Sequence, residues 1–500
     1  MTDERVPVLP GEWVAGWQGD DRIAWVFERA EVTYDTFAGR VFRTADWLRA
    51  QRVATGDRVS WVGLNRIELF ELFLACARIG AIFNPLNNRL TPTELAGLID
   101  DAQPTLIATT DGFAELAVSA VERSGVEVPV IDLDTSQLEP AAVLAAAEPA
   151  DRPAPESPLL MVFTSGTTGR AKGAVLSQRA VAATVDHGVR SQALGQGDVI
   201  IAPLPTFHVG GLNIQTLPTL VAGGTVVLMR RFDPGETLDL IERHRPTQSL
   251  LVPAMLTAVA GHPRFEATDL SCLRGVMSGS SIVPASVTAP WFERGVPIGQ
   301  VYGTTETGPT AVVLEYADAA AHPGSAGRVV PPAQMKVVDA DGDAQPTGVA
   351  GEILLRGDNL LTEYWQLPEA TAAAFADGWY RTGDVGSVDE GGWLTVSDRL
   401  GDMIISGGEN IYPAEVEAVL GEHPGIAEIA VVGRPDARFG EVGVAFVVPT
   451  PGAAPTLEDL RSWAEDRLAR FKQPRELVVV ESLPRTALGK VTKQVLRAQL

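Results

Sequence analysis

The sequence predicts an α/β fold: a large N-terminal region with two α/β sheet subdomains and a small β unit, followed by a smaller α+β domain. Three observations carry this. The first third alternates strand-like and helix-like segments, as in RVSWVGL (58–64), IELFELFLACARIG (67–80), AIFNPL (81–86), TPTELAGLIDDA (91–102) and PTLIATT (104–110), which argues for a mainly parallel sheet. From about 325 to 398 the pattern changes to short strands with glycine turns: KVVDADG, GEILLRG, GGWLTVSD. The last 100 or so residues carry their own signals. GIAEIAVVG, VGVAFVVPT and ELVVVESLP read as strands, and TLEDLRSWAEDRLARF reads as an amphipathic helix.

Within the first block, Thr91 and Glu94 form a capping-box pattern with Pro92 at the first helical position. AAAEPADRPAPESP (145–158) is a surface connection to a second α/β block over about 159–320. The expected domains are 1–398, a hinge at 399–402, and 403–500.

Length and composition exclude several classes. At 500 residues the chain exceeds one ordinary core, and 45% hydrophobic residues with 49 Gly and 35 Pro describe a globular, turn-rich protein. A formal charge of −23 disfavours nucleic acid as a partner, since binding a phosphate backbone needs a basic face. No stretch of about 18 apolar residues occurs and the N-terminus has no basic-then-apolar leader pattern, so a cytoplasmic protein without firm membrane attachment is expected. Cys76 and Cys272 lack CxxC partners and read as reduced structural residues.

Lysine usage points to the chemistry. Only five of the 40 basic residues are lysine: Lys172, Lys336, Lys472, Lys490 and Lys493. An ammonium is a compact point charge that a guanidinium fork does not replace against phosphate oxygens. Lys172 ends TSGTTGRAKG (164–173), where glycines allow backbone N–H groups to converge on a phosphate and hydroxyls add donors. The spacing is not GxxxxGK[ST], so this is no Walker A loop. Lys490 ends PRTALGK (484–490).

The 164–173 stretch resembles the phosphate loop of the adenylate-forming superfamily, the AMP-forming acyl-CoA synthetases of fatty-acid and aryl-acid type. Other marks follow in the family's order: TFHVGG (206–211), VYGTTETG (301–308), YRTGD (380–384), SDRLGDMIISGGENIYPAEVE (397–417) and PRTALGK. The resemblance implies an ATP-dependent acid:CoA ligase that forms acyl-AMP and then acyl-CoA, using ATP, Mg²⁺ and CoA. A homodimer is compatible with it. A ligase that passes the adenylate to a carrier protein or an amine is the alternative within the superfamily.

The implied roles are specific. Thr164, Ser165, Gly166, Thr167, Thr168 and Lys172 would hold phosphates. Gly279, Ser280, Ser281, Tyr302, Gly303 and Thr304 would flank adenine, and Asp384 and Arg399 would contact ribose and phosphate. Glu306 with Thr164 would hold Mg²⁺, a hard ion that takes one or two carboxylates and shares the nucleotide's phosphates. Lys490, His208, Thr305 and Glu306 would act in the reaction. Lys490 would supply the ammonium that meets charge developing between two anions, and His208 would sit beside the reacting carboxylate without needing to act as a base. Gly407 and Gly408 would let the pantetheine arm pass. For Lys472 and Lys493, surface positions and CoA-phosphate contacts are equally compatible, and Lys336 reads as a strand-edge charge.

The acyl pocket implied by the resemblance runs along His208, Val209, Gly210, Gly211, Asn213, Ser278, Gly279, Val301, Gly303 and Gly308. It is rich in glycine and free of Lys and Arg, which favours a bulky apolar acid, fatty or aryl, over a diacid. Asn213, Ser278 and Thr310 are candidates for bonding a ring substituent. One position departs from the family: two residues after Arg399, where lysine or aspartate is common, stands Gly401. Such a hinge still rotates but has no side chain to hold either state. Gly401→Pro is expected to impair thioester formation much more than adenylation, as acyl-CoA production against pyrophosphate release would show; equal losses would reject the soft hinge.

Overall fold

The computed structural model describes residues 8–134, 152–165, 171–279, 283, 285–339, 341–399, 403–411, 413–484, 491 and 493–500. Of these, Ser165, Ala285, Ser286, residues 397–399, Asn410, Ala414, Ala418 and Gln494 are described by backbone alone. Four sheets form among these residues.

The first sheet has the order 363–364, 171–177, 158–165, 82–85, 58–62, 106–109, 130–132, and its inner pairs are parallel. The predicted strands at 58–64, 81–86 and 104–110 are found at Arg58–Val62, Ile82–Pro85 and Leu106–Thr109. The helix Ile67–Ile79 between two of them is apolar nearly all round and is buried along almost its whole length, as a helix sandwiched between layers must be. It ends at Gly80, whose left-handed φ of 76° a side chain would resist. The capping box also forms: Glu94 N donates to Thr91 Oγ1, and Thr91 N returns a bond to Glu94 Oε2.

The second sheet, with nine strands, runs 328–329, 312–314, 298–302, 275–278, 248–250, 199–202, 225–228, 23–27, 30–33. The main core joins the two sheets, with Trp25, Phe37, Phe70 and Phe73 at its centre. The third sheet gathers Gln334–Val338, Gly351–Arg356, Phe375–Ala376, Trp379–Val388 and Leu394–Arg399. Lys336 lies on its edge strand over the ring of Trp379, as a strand-edge charge should.

The fourth sheet, built from Ile404–Ser406, Glu409–Ile411, Ile426–Asp436, Gly440–Pro449 and Glu476–Val479, has cores of its own. One expectation is corrected here. The amphipathic helix predicted to run to Phe471 stops at Ala464. Beyond it Ala469 and Phe471 pack among Leu90, Leu95 and Ile99 of the first sheet's helical layer, and a continuous helix would carry them away from that contact.

Both cysteines are free, as expected. None of the helices among the described residues is long and apolar enough to cross a membrane.

Glu71 is a buried carboxyl on the helix Ile67–Ile79, 3.6 Å from Arg40. Burial, with the nearby charge of Glu68, pushes it up to about 7. A carboxyl raised in the folded state contributes stability that is complete below its unfolded value and is lost as pH rises through about 7. Glu71→Gln should therefore match the parent below pH ~4.5 and exceed it by up to about 3 kcal/mol above neutrality. Denaturant melts at the two pH values measure this.

Candidate active site

A cavity of about 560 Å³ opens where the three N-terminal sheets and the C-terminal sheet meet. One side of it begins at the strand Pro158–Ser165, whose antiparallel partner Ala171–Ser177 sets Thr164 opposite Lys172. The loop between them, with Gly166, Thr167 and Thr168, lies outside the described residues, as does the side chain of Ser165. Lys172 lines the cavity with its Nζ 5.1 Å from the ring centre of Tyr364.

Glu306 sits in the short 3₁₀ turn Thr305–Thr307, 8% exposed. Its Oε1 accepts from Tyr364 Oη at 3.0 Å and from Thr164 Oγ1 at 3.2 Å. The predicted pair Glu306 and Thr164 is thus in contact. A buried carboxylate beside a hydroxyl, open to a cavity, is a hard-oxygen donor set that fits one Mg²⁺ shared with nucleotide phosphates. No cluster of three His, Cys, Asp or Glu exists among the described residues, so a protein-only cage is not what they offer.

Gly303, Thr304 and Thr305 line the same wall. A Cβ on Gly303 would fall 2.5 Å from the carbonyl oxygen of Pro309, which explains the glycine. Tyr302 and Asp384 come together, with Tyr302 Oη donating to Asp384 Oδ2 at 2.8 Å. They stand behind Thr382 and Gly383, which line the cavity. Arg399 pairs with Asp384 across the third sheet, so both predicted ribose residues share one register position, although the Arg399 side chain is not described. Gly279 closes its strand against Val301. Ser280, Ser281, Gly401 and Lys490 lie outside the described residues.

Of the residues that the resemblance implies for an acyl pocket, His208, Val209, Gly210, Gly211, Val301 and Gly303 line the cavity, together with Ile214, Val252 and Met255, which it did not name. Gly210–Ile214 forms a single π-turn, a distortion that often marks functional helices. A correction concerns the polar candidates. Asn213, Ser278 and Thr310 are fully buried and have side-chain atoms without a hydrogen-bond partner among the described residues, but none of the three lines the cavity. Gly308 likewise stands behind the wall, filling the space beside Thr184.

The C-terminal sheet contributes Gly407, Gly408 and Glu409. The two glycines take φ of 60° and 85° to turn the hairpin between Ile404–Ser406 and Glu409–Ile411, and Gly408 rests on Val252. Glu409, 4% exposed, reaches His208 Nε2 at 3.2 Å and pairs with Arg89. Burial alone would raise its carboxyl, but the bond to His208 and the charges of Arg89 and Lys472 bring it below the ordinary value.

Sequence reasoning missed Arg89, Tyr364 and Glu409 as site residues. Glu409 had a signal, an acid inside the glycine loop SGGEN. Arg89 and Tyr364 stand in no motif and come into the site through tertiary packing.

Comparison with known proteins agrees with this geometry. Residues 12–365 match the AMP-binding enzyme family, and 415–490 match the AMP-binding enzyme C-terminal domain. The chain is 43% identical to an indoleacetate–CoA ligase of Aromatoleum aromaticum over 97% of each chain. It is 39% identical to a feruloyl-CoA synthase of Amycolatopsis sp over 93% of each chain. Among solved structures it is similar to the amide bond synthetase McbA from Marinactinospora thermotolerans, with a TM-score of 0.90, 34% identity, and coverage of 99% of this chain and 100% of that one. The chain therefore belongs to the AMP-binding enzymes of the adenylate-forming acyl-CoA synthetase superfamily, and it is an AMP-forming acid–thiol ligase.

Proposed function

We propose that this ligase activates an apolar fatty or aromatic carboxylic acid. The acid's carboxylate attacks the α-phosphate of ATP, pyrophosphate leaves, and the acyl-AMP is then attacked by the thiol of CoA, releasing AMP. A carboxylate is already ionised near neutrality and an acyl phosphate is already activated, so neither step needs a nucleophile from the protein. The chain's part is positioning and electrostatics. Lys172 and the 164–173 loop hold the phosphates, Tyr302 and Asp384 support the ribose end, and Glu306 with Thr164 would hold Mg²⁺. Bound there, the ion would supply positive charge against the phosphates. Lys490 supplies an ammonium for adenylation from a mobile C-terminal domain, 403–500, that turns about the 399–402 hinge. With the Gly407–Gly408 hairpin on the cavity, the described arrangement suits the thiol step.

The observation that carries the substrate class is the pairing of the cavity's cations. Among the described residues Arg89 is on Glu409, Arg381 is on Glu352, and Lys172 lies at the phosphate end. Among the described residues no other Lys or Arg lines the cavity beside the apolar side chains of Val209, Ile214, Val252, Met255 and Val301, which favours an acid without a second carboxylate. The names of the two relatives support the aromatic branch. The test is pyrophosphate release with ATP, Mg²⁺ and a panel of fatty and aryl acids, with and without CoA. Sustained release only with CoA and an apolar acid is expected. A single burst that CoA does not prolong would favour the second reading, a carrier-protein or amine acceptor, which the likeness to an amide bond synthetase keeps in view.

A further inference from the structure

The capping box at Thr91–Glu94 does more than start a helix. Thr91 N and Oγ1 both donate to Glu94 Oε2, at 2.8 and 2.9 Å, which fixes the carboxylate in place. Its other oxygen, Oε1, accepts from Lys472 Nζ at 3.1 Å, across the seam between the N-terminal layer and the C-terminal sheet's region. Lys472 Nζ also donates to Glu415 Oε1 at 2.7 Å, at the start of the helix Pro413–Gly421. The Lys472 side chain is 9% exposed, so the reading of this lysine as a surface or CoA-phosphate contact is corrected. Burial works against the ammonium, and the two carboxylates more than offset it. Ala469 and Phe471 join the apolar cluster of Leu90 and Leu95, Leu90 and Phe471 line one cavity with Glu94 and Lys472, and farther along the same seam Arg89 and His208 hold Glu409.

We propose that Glu94 and Lys472 form a latch between the two domains that stabilises the arrangement with the Gly407–Gly408 hairpin on the cavity, making them positioning residues for the thiol-transfer step. The inference rests on the two-step reaction proposed above. Two features favour a latch over a permanent weld. If the C-terminal domain turns away, Lys472 keeps Glu415, which travels with it, and Glu94 keeps its bonds to Thr91. Neither charge is stranded, and the cost that makes broken buried ion pairs prohibitive is avoided. The second is a sequence feature: at Gly401, in the hinge of the reading above, glycine offers no side chain to hold either arrangement, which would leave the holding to contacts at the seam.

The test uses the full chain with Glu94→Gln, Lys472→Met and the double variant. Glutamine preserves a capping box while removing the charge that faces Lys472. Hydrogen exchange without substrates should show residues 468–473 exchanging faster in Glu94→Gln than in the parent. The pyrophosphate burst without CoA should be unchanged, and CoA-dependent turnover should fall about tenfold, with the double variant no slower than Lys472→Met alone. Parent-like exchange and turnover in Glu94→Gln, or equal loss of burst and turnover, would overturn the latch. If the parent shows no burst with any acid, the two-step reading fails by itself, and the exchange comparison still decides whether Glu94 holds the seam.

Discussion

Replacing Lys490 with alanine is expected to lower acid-dependent pyrophosphate release by roughly 10²–10³-fold, the loss typical of removing one preorganised donor from a developing oxyanion. A carboxylate approaching a phosphate brings like charges together, so a positioned ammonium matters far more in the transition state than in the bound ground state. ATP affinity should therefore change little while the maximal rate collapses. The second half-reaction offers a sharper comparison: thiolysis of supplied acyl-AMP by CoA involves no such meeting of anions and should be retained. Stopped-flow measurement of both half-reactions separates them, and equal loss in the two would remove Lys490 from its assigned role.

The second large effect is expected at Glu306. Glutamine keeps an acceptor for Tyr364 Oη and Thr164 Oγ1, so Glu306→Gln should fold with a stability within about 1 kcal/mol of the parent. It loses the charge that a hard cation requires. Turnover should drop by about 10²-fold or more, and the Mg²⁺ concentration for half-maximal rate should rise. A rate loss with an unchanged Mg²⁺ requirement would mean that Glu306 serves only to position Tyr364 and the phosphate strand.

Much of this was legible in the sequence because periodicity and turn chemistry report local structure. The parallel strands between 58 and 109, the Thr91 cap and the edge position of Lys336 follow from patterns within about ten residues. What failed was decided at long range. The helix after Thr456 has an amphipathic pattern to Phe471, but packing against Leu90 and Leu95 ends it at Ala464. The family resemblance implies Asn213 as a pocket residue, yet in the π-turn Gly210–Ile214 it is Ile214 that lines the cavity and not Asn213. Lys472 read equally as a surface charge or a CoA-phosphate contact because its partners Glu94 and Glu415 are far away in sequence. The site's motifs brought together Thr164 with Glu306 and Tyr302 with Asp384. Arg89, Tyr364 and Glu409 complete the cavity from places that only the fold connects.

In the proposed reaction the acid's own oxygen attacks the α-phosphate. Supplying a turned-over acid labelled with ¹⁸O in its carboxylate, with ATP, Mg²⁺ and CoA, and analysing the products by mass spectrometry tests it directly. One ¹⁸O in the released AMP and none in pyrophosphate is the predicted result. Label in inorganic phosphate or pyrophosphate with unlabelled AMP would contradict it, because the acid would then have been activated at a different phosphorus.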